Sequence, residues 1–249
     1  MNSCPICQSE NLNSEKNYNG KTFYQCKTCG LVFTPDPSEY KIDYPDSSLW
    51  PEQEKARRCV QKSRLECLKS LKPRGRLLDV GCGRGFFLKS ALEYGYQVEG
   101  VERTHAAARQ ASEQLDAVIH VCNVQDSLMI EGSYDIITLW EVLEYFSNPL
   151  EALKNVKALL EPDGILVLET LNYKKVKHSD ILDAMPITPQ CLFTRQSLTL
   201  MFEKAGFLTI EPLQIPYEDG GIFRQGMEKL KDTFNHSFNL AVFASLYDK

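Results

Sequence analysis

Four thiols open the chain in a pattern that closes on a metal. Cys4-Pro5-Ile6-Cys7 and Cys26-Lys27-Thr28-Cys29 are two Cys-x-x-Cys pairs 18 residues apart, the spacing of a four-thiolate zinc site. Cys4, Cys7, Cys26 and Cys29 would fill every position of a tetrahedral ion and leave none for water, so the chemistry is structural rather than hydrolytic. A segment this short cannot fold on its apolar residues, whereas structural zinc contributes roughly 10–16 kcal/mol in isolated finger peptides. A second group of residues reads as a ligand cradle. In Leu77-Leu78-Asp79-Val80-Gly81-Cys82-Gly83-Arg84-Gly85-Phe86 an apolar strand breaks through closely spaced glycines into a helix, a junction at which the backbone turns sharply and approaches a nucleotide-like cofactor. Glu102 stands about 20 residues further on, where a carboxylate grips ribose hydroxyls.

A dinucleotide fits this loop poorly. Phe86 occupies the place of the small residue that packs helix on strand, and Gly85 comes early. Asp79, at the carboxyl end of the strand, would repel a pyrophosphate and favour a cation.

The elements needed to hold these groups follow from patterning. Asn19-Gly20 suits a type I′ turn and Lys21 to Gln25 its returning strand, so a hairpin would bring the second thiol pair to the first. Neither pair lies at the strand–helix junction of a thioredoxin-like motif. Thr34-Pro35-Asp36-Pro37-Ser38 is a turn-rich connector, followed by Tyr40, Tyr44 and Trp50 before Pro51 opens a helix. Ala56, Cys59, Val60, Ser63, Cys67, Leu68 and Leu71 form its apolar stripe. Beyond residue 76 strands and helices alternate, which predicts an α/β fold with a mainly parallel sheet and helices on both faces. Strands are expected at 98–101, 117–121, 134–139, 165–169, 207–210 and 240–247, and helices after Thr104, Pro149 and Thr194 and over 222–234. The division is a ribbon at 1–36, a linker and basic amphipathic helix at 37–76, and a cofactor-binding domain at 77–249.

Composition narrows the function classes. The net charge is −5 and the nine cysteines are an odd number, which argues against a disulfide framework. No stretch of 18 or more apolar residues is present and the amino terminus lacks the apolar region of a signal peptide, so the cytoplasm is expected. Lys55 to Arg76 nevertheless carries a local charge of +8, a solvated face or a means of attracting an anionic substrate to the cleft, which Lys174, Lys175 and Lys177 would extend. The ribbon itself, with Lys16, Lys21 and Lys27 against Glu10 and Glu15, exerts little pull on phosphates, so nucleic acid is a weak candidate partner. The ribbon would dock instead on the rest of the chain or on a partner protein.

Several motifs arriving in order resemble class I S-adenosylmethionine-dependent methyltransferases over residues 77–211. After the glycine loop and Glu102 come Cys122-Asn123-Val124-Gln125, then Asp135 through Glu144, Asn148-Pro149, Gly164 through Thr170, and Phe193-Thr194 through Ala205-Gly206-Phe207. The pattern is similar to the subgroup of ubiquinone-type and sugar-modifying methyltransferases, some of which carry a like ribbon. The resemblance implies a Rossmann-like sheet and a cofactor whose ammonium and sulfonium suit Asp79. It places the cofactor's methionine part and ribose on Gly81, Cys82, Gly83 and Gly85, the ribose hydroxyls on Glu102, adenine on Asn123 and Val124, and the donor methyl near Leu139, Trp140 and Glu141. The acceptor would be a small molecule methylated on oxygen, nitrogen or carbon. An RNA or protein docked through the ribbon and the basic helix, or a cofactor sensor without catalysis, are the alternatives. Where many members have His after Leu-Glu, this chain has Tyr145, a poor base with a phenol pKa near 10. His178, in the loop after the fifth strand, is the second candidate general base. His105, His120 and His236 are lesser ones, and Met185, Pro186 and Pro189 belong to a segment expected to cover substrate.

Overall fold

The computed structural model describes residues 3–18, 20–35, 51–126, 130–177, 182, 185, 187–215 and 239–246, with the main chain alone at 15–16 and 51–57. Asn19, Tyr40, Tyr44, Trp50, His178, Pro186, His236, Tyr247 and the helix expected over 222–234 lie outside the described residues, as does the side chain of Ala56.

The thiol pairs flank a hairpin of β1 (Leu12–Tyr18) and β2 (Lys21–Cys26), with β3 (Val32–Phe33) alongside. Gly20, at φ 77°, provides the left-handed turn between them. Helix α1 (Pro51–Leu71) starts at its proline as expected. Then follow β4 (Arg76–Val80), α2 (Phe86–Glu93), β5 (Gln97–Val101), α3 (His105–Gln114), β6 (Val118–His120) and β7 (Tyr134–Trp140). After a single 3-10 turn at Leu143–Tyr145 come α4 (Pro149–Ala158), β8 (Leu160–Leu171) and the short α5 (Tyr173–Val176). The remaining elements among the described residues are β9 (Cys191–Leu192), α6 (Arg195–Ala205), β10 (Thr209–Leu213) and β11 (Asn239–Ser245).

Seven strands form one sheet in the order β10-β11-β8-β7-β4-β5-β6. The five from β8 to β6 run parallel, and β11 enters antiparallel between β8 and β10. Alternate residues of each strand feed cores on opposite faces. On one side Leu77, Ile136, Trp140 and Val167 meet Leu65 and Leu68 of α1 and Phe87 and Leu88 of α2. On the other, Leu78, Ile137 and Leu166 meet Leu153 and Val156 of α4 and Met201 and Phe202 of α6. This is the expected α/β architecture, a central sheet with helices on both faces.

Caps behave as sequence predicts at two helices. Asn148 accepts from Glu151 N, and Thr194 with Ser197 forms a capping box on α6, which Gly206 ends at φ 86°. Thr104 is different. Its side chain makes no cap bond, and Glu102 Oε1 accepts from Thr104 N at 2.7 Å instead. The strand expected at 207–210 lies two residues later, at Thr209–Leu213, because Phe207 leaves the sheet to pack against Phe202, with ring centroids 5.2 Å apart.

The ribbon docks on the rest of the chain. β3 pairs with β9, Val32 opposite Leu192 and Phe33 opposite Cys191, making a four-stranded sheet β1-β2-β3-β9.

Candidate functional site

The five parallel strands all end on one edge of the sheet, and the singled-out residues collect there because each lies at or just after the carboxyl end of its strand. Gly81, Gly83 and Gly85 have φ of 78°, 57° and 79°, a region other residues enter at a cost. Two of them are also needed for packing. A Cβ on Gly81 would lie 2.5 Å from Val142 Cγ2, and one on Gly85 2.7 Å from Leu115 Cδ1. Gly100, which the motif reading passed over, lies under Cys82 and leaves 2.7 Å between an added Cβ and its Sγ. Gly81 N and Cys82 N both donate to Val101 O, which pins the loop to the neighbouring strand.

Glu102 is 4% exposed, and its second oxygen, Oε2, accepts from Gly83 N at 3.1 Å. Two residues 19 apart in sequence thus share one hydrogen bond, so the carboxylate at the end of β5 and the glycine loop after β4 form one wall. Asp79 is buried in the same wall and accepts from Thr138 Oγ1 at 2.7 Å. Burial pushes its carboxyl up to about 7, against the hydroxyl and Arg64, which lower it. Asn123 stays partly exposed, its Oδ1 accepting weakly from Gln125 N at 3.4 Å. Val124 is buried in the core, its carbonyl held by Asn155.

The end of β7 departs most from the sequence reading. Trp140 is 8% exposed, edge-on to Phe87 at 5.3 Å. Over its other surroundings lies the Arg64 guanidinium, 4.9 Å from the ring centroid. Arg64 belongs to the run read as a solvated basic face, yet it is 5% exposed. Its Nε and Nη2 donate to Glu169 Oε2 at 3.0 and 2.7 Å, and Nη2 to Glu141 Oε2 at 2.9 Å. Asn239 of β11 donates to Glu169 Oε1 at 2.7 Å. Glu141 holds φ 54°, a conformation unusual for a residue with a side chain, and through it reaches Arg64. A further acid, Glu144, is 1% exposed and accepts from Thr170 Oγ1 at 2.8 Å, and burial raises its carboxyl to about 8. Sequence reasoning missed Arg64, Asn239 and Glu144. For Arg64 a signal existed: it stands four residues from both Val60 and Leu68, on the buried stripe.

Tyr145 sits in the 3-10 turn after β7, half-buried. His120 pairs with Glu99 at 3.0 Å, on a cluster with Arg76 and Tyr134 across the sheet, and His105 is exposed at the start of α3.

The four thiols converge as their spacing predicts. Cys4 Sγ is 3.5 Å from Cys29 Sγ and Cys7 Sγ 3.4 Å from Cys26 Sγ, and all four sulfurs lie within 4.8 Å of one another. These separations suit neither a disulfide nor isolated thiols, whereas a tetrahedral zinc with bonds of 2.3 Å sets its sulfurs about 3.8 Å apart. Donation from the Cys29 thiol pulls Cys4 down to about 5 and pushes Cys29 itself up. The cluster is compatible with a structural zinc.

Comparison with known proteins agrees with this geometry. A family described as "Methyltransferase domain" matches residues 53–211. The chain therefore belongs to the methyltransferase domain family, and this region is an S-adenosylmethionine-dependent methyltransferase domain. It is 32% identical over 107 residues to a ubiquinone biosynthesis O-methyltransferase of Actinobacillus pleuropneumoniae, covering 39% of this chain and 46% of that protein. With the protein of the same name from Xanthomonas campestris it shares 34% over 110 residues, 40% of this chain and 44% of the relative. The chain thus spans less than half the length of these curated relatives. A putative S-adenosylmethionine-dependent methyltransferase from Listeria monocytogenes has the same fold, with a TM-score of 0.59 at 15% identity over 79% of this chain and 100% of that one.

Proposed function

We propose that the protein transfers a methyl group from S-adenosylmethionine to a small-molecule acceptor, with oxygen as the favoured acceptor atom. The relatives named as O-methyltransferases support that choice. The observation that carries the cofactor assignment is the Glu102 carboxylate, buried at the end of β5 and bonded to the glycine loop. A ribose seated there would find two acceptor oxygens already oriented.

In this reading Gly81, Cys82, Gly83 and Gly85 receive the methionine part and the ribose, Asp79 favours the ammonium, and Asn123 and Val124 bound the adenine. Trp140 and Glu141 line the side from which the methyl leaves. The cofactor supplies an already electrophilic methyl on its sulfonium. The protein's task is then alignment, which contributes roughly 7–11 kcal/mol where reactants are held at near-attack distance. Tyr145 and His178 remain the proposed groups for removing the acceptor's proton, the first a phenol that must be activated to serve at neutral pH. Burial of Arg64 withdraws one of the cations through which α1 would hold RNA, which weighs toward the small acceptor. The division into ribbon (1–36), linker with helix (37–76) and catalytic domain (77–249), and a cytoplasmic location, belong to the same proposal.

Calorimetry tests it. Glu102→Ala should weaken S-adenosylmethionine binding about tenfold or more, the loss of one or more charge-assisted hydrogen bonds, and should lower the unfolding midpoint while leaving the chain folded, since Gly83 N and Thr104 N lose their acceptor. Unaltered affinity would defeat the ribose assignment.

A further inference from the structure

The two-residue strand β9 faces in two directions. On one edge it takes the ribbon: β3 pairs with it, and Thr34 N donates to Gln190 O at 3.0 Å. On the other it supports the turn after the central strand. Gln190 N donates to Glu144 O at 2.7 Å, and the Cys191 thiol reaches Phe146 O at 3.6 Å. Val142, at the head of that turn, lies over Gly81 so closely that a Cβ there would clash with it. A continuous line of contacts runs from the four thiols through β3 and β9 to the turn and on to the glycine loop.

Two-residue strands have no stability of their own. Among the described residues β3 is the only strand paired with β9. Packing ties them further. Phe33 and Cys191 share one core with Cys4, Cys26 and Cys29, and a bond from Gln196 Nε2 to Thr28 O, at 3.2 Å, fixes the second thiol knuckle to α6.

We propose that the metal-bound ribbon is a positioning element for the catalytic edge: by holding β9, it sets the turn at 143–146 against the cofactor loop. This rests on reading that edge as the place of cofactor and acceptor. Gln190 and Cys191 are accordingly positioning residues, acting through Glu144 and Phe146. Zinc matters here because the ribbon's fold, and hence β3, depends on it.

Hydrogen–deuterium exchange on the full-length protein tests the link. Freshly purified protein should contain about one zinc per chain, as four thiolates require. Stripping it with a chelator should speed exchange about tenfold at amides 143–146 and 190–193, while amides of β4 and β5 stay within about twofold, as expected of a local opening. Thr34→Pro removes the N–H donated to Gln190 and leaves all four thiols, so it should loosen the same amides with zinc still bound. Unchanged protection at 143–146 in both experiments overturns the proposal. Equal loss in β4 and β5 overturns it too, since the metal would then stabilise the whole chain without aiming the turn. S-adenosylhomocysteine binding to the zinc-loaded wild type is measured separately. Its absence would count against the cofactor reading, whereas its presence with an unresponsive turn would count against this inference alone.

Discussion

Arg64 illustrates how far charge counting carries at the scale of single residues. A run of nine basic residues with one acid reads as a wetted face, and Arg58, Lys62, Lys69 and Arg74 are exposed as that reading expects. The one at the i+4 position between Val60 and Leu68 is drawn inward by Glu169, a hundred residues away, and no local pattern announces so distant a partner. Removing only the cation takes the guanidinium away from the Glu169 carboxyl, which is 1% exposed and keeps Asn239 on its other oxygen. Arg64→Leu should therefore cost about 3–5 kcal/mol of unfolding free energy. Adding Glu169→Leu should restore most of it, since Glu141 is a third exposed and can be solvated. Chemical denaturation of both variants checks this; a loss below about 1 kcal/mol in the single variant would show that the pair contributes little. Glu102 and Asp79 were legible for the opposite reason: both sit beside the glycine loop, in a pattern where their types have a chemical meaning.

At the scale of elements, what sequence shows and what it hides follows from where each element gets its stability. The strand–loop–helix unit around Gly81, α4 with its Asn148 cap and α6 with its capping box carry their own punctuation and appear where expected. β3 and β9 have none, because two residues become a strand only when a partner is supplied. The loop also exceeds its motif, since Gly81 meets the turn after β7 as closely as any ligand would be met. A substitution pair separates backbone from contact. Gly95, at φ 90°, has open space about it, so Gly95→Ala should cost only the left-handed penalty, about 1 kcal/mol. Gly81→Ala, at φ 78° with Val142 2.5 Å away, should cost distinctly more. Equal thermal shifts for the two would mean that Val142 yields freely.

The whole molecule should respond to pH in a direction set by two interior acids. Asp79 titrates near 7 and Glu144 near 8, both raised mainly by burial. A carboxyl raised on folding contributes stability that is complete below its unfolded pKa and is lost as pH climbs through the folded value. Thermal unfolding midpoints should thus decline between about pH 4 and 8 and level off above that. Glu144→Gln, which keeps a neutral side chain of the same shape beside Thr170, should flatten that decline and raise the midpoint at the alkaline end. A slope identical to wild type would show that Glu144 is already ionised. Neither shift was legible in sequence, because it arises from layers of the fold closing over a residue rather than from its neighbours in the chain.

The position of β11 has a bearing on biosynthesis. It lies between β8 and β10 although the ribosome delivers both before it, so the nascent polypeptide must wait with a slot one strand wide. Until residues 239–245 emerge, the backbone of β8 presents unanswered amides and carbonyls, the template on which one unfinished copy adheres to another. Asn239, which braces Glu169, arrives in the same stroke. Assembly of this edge of the sheet is thereby tied to the synthesis of residues 239–245, and a product terminated before them would be sticky.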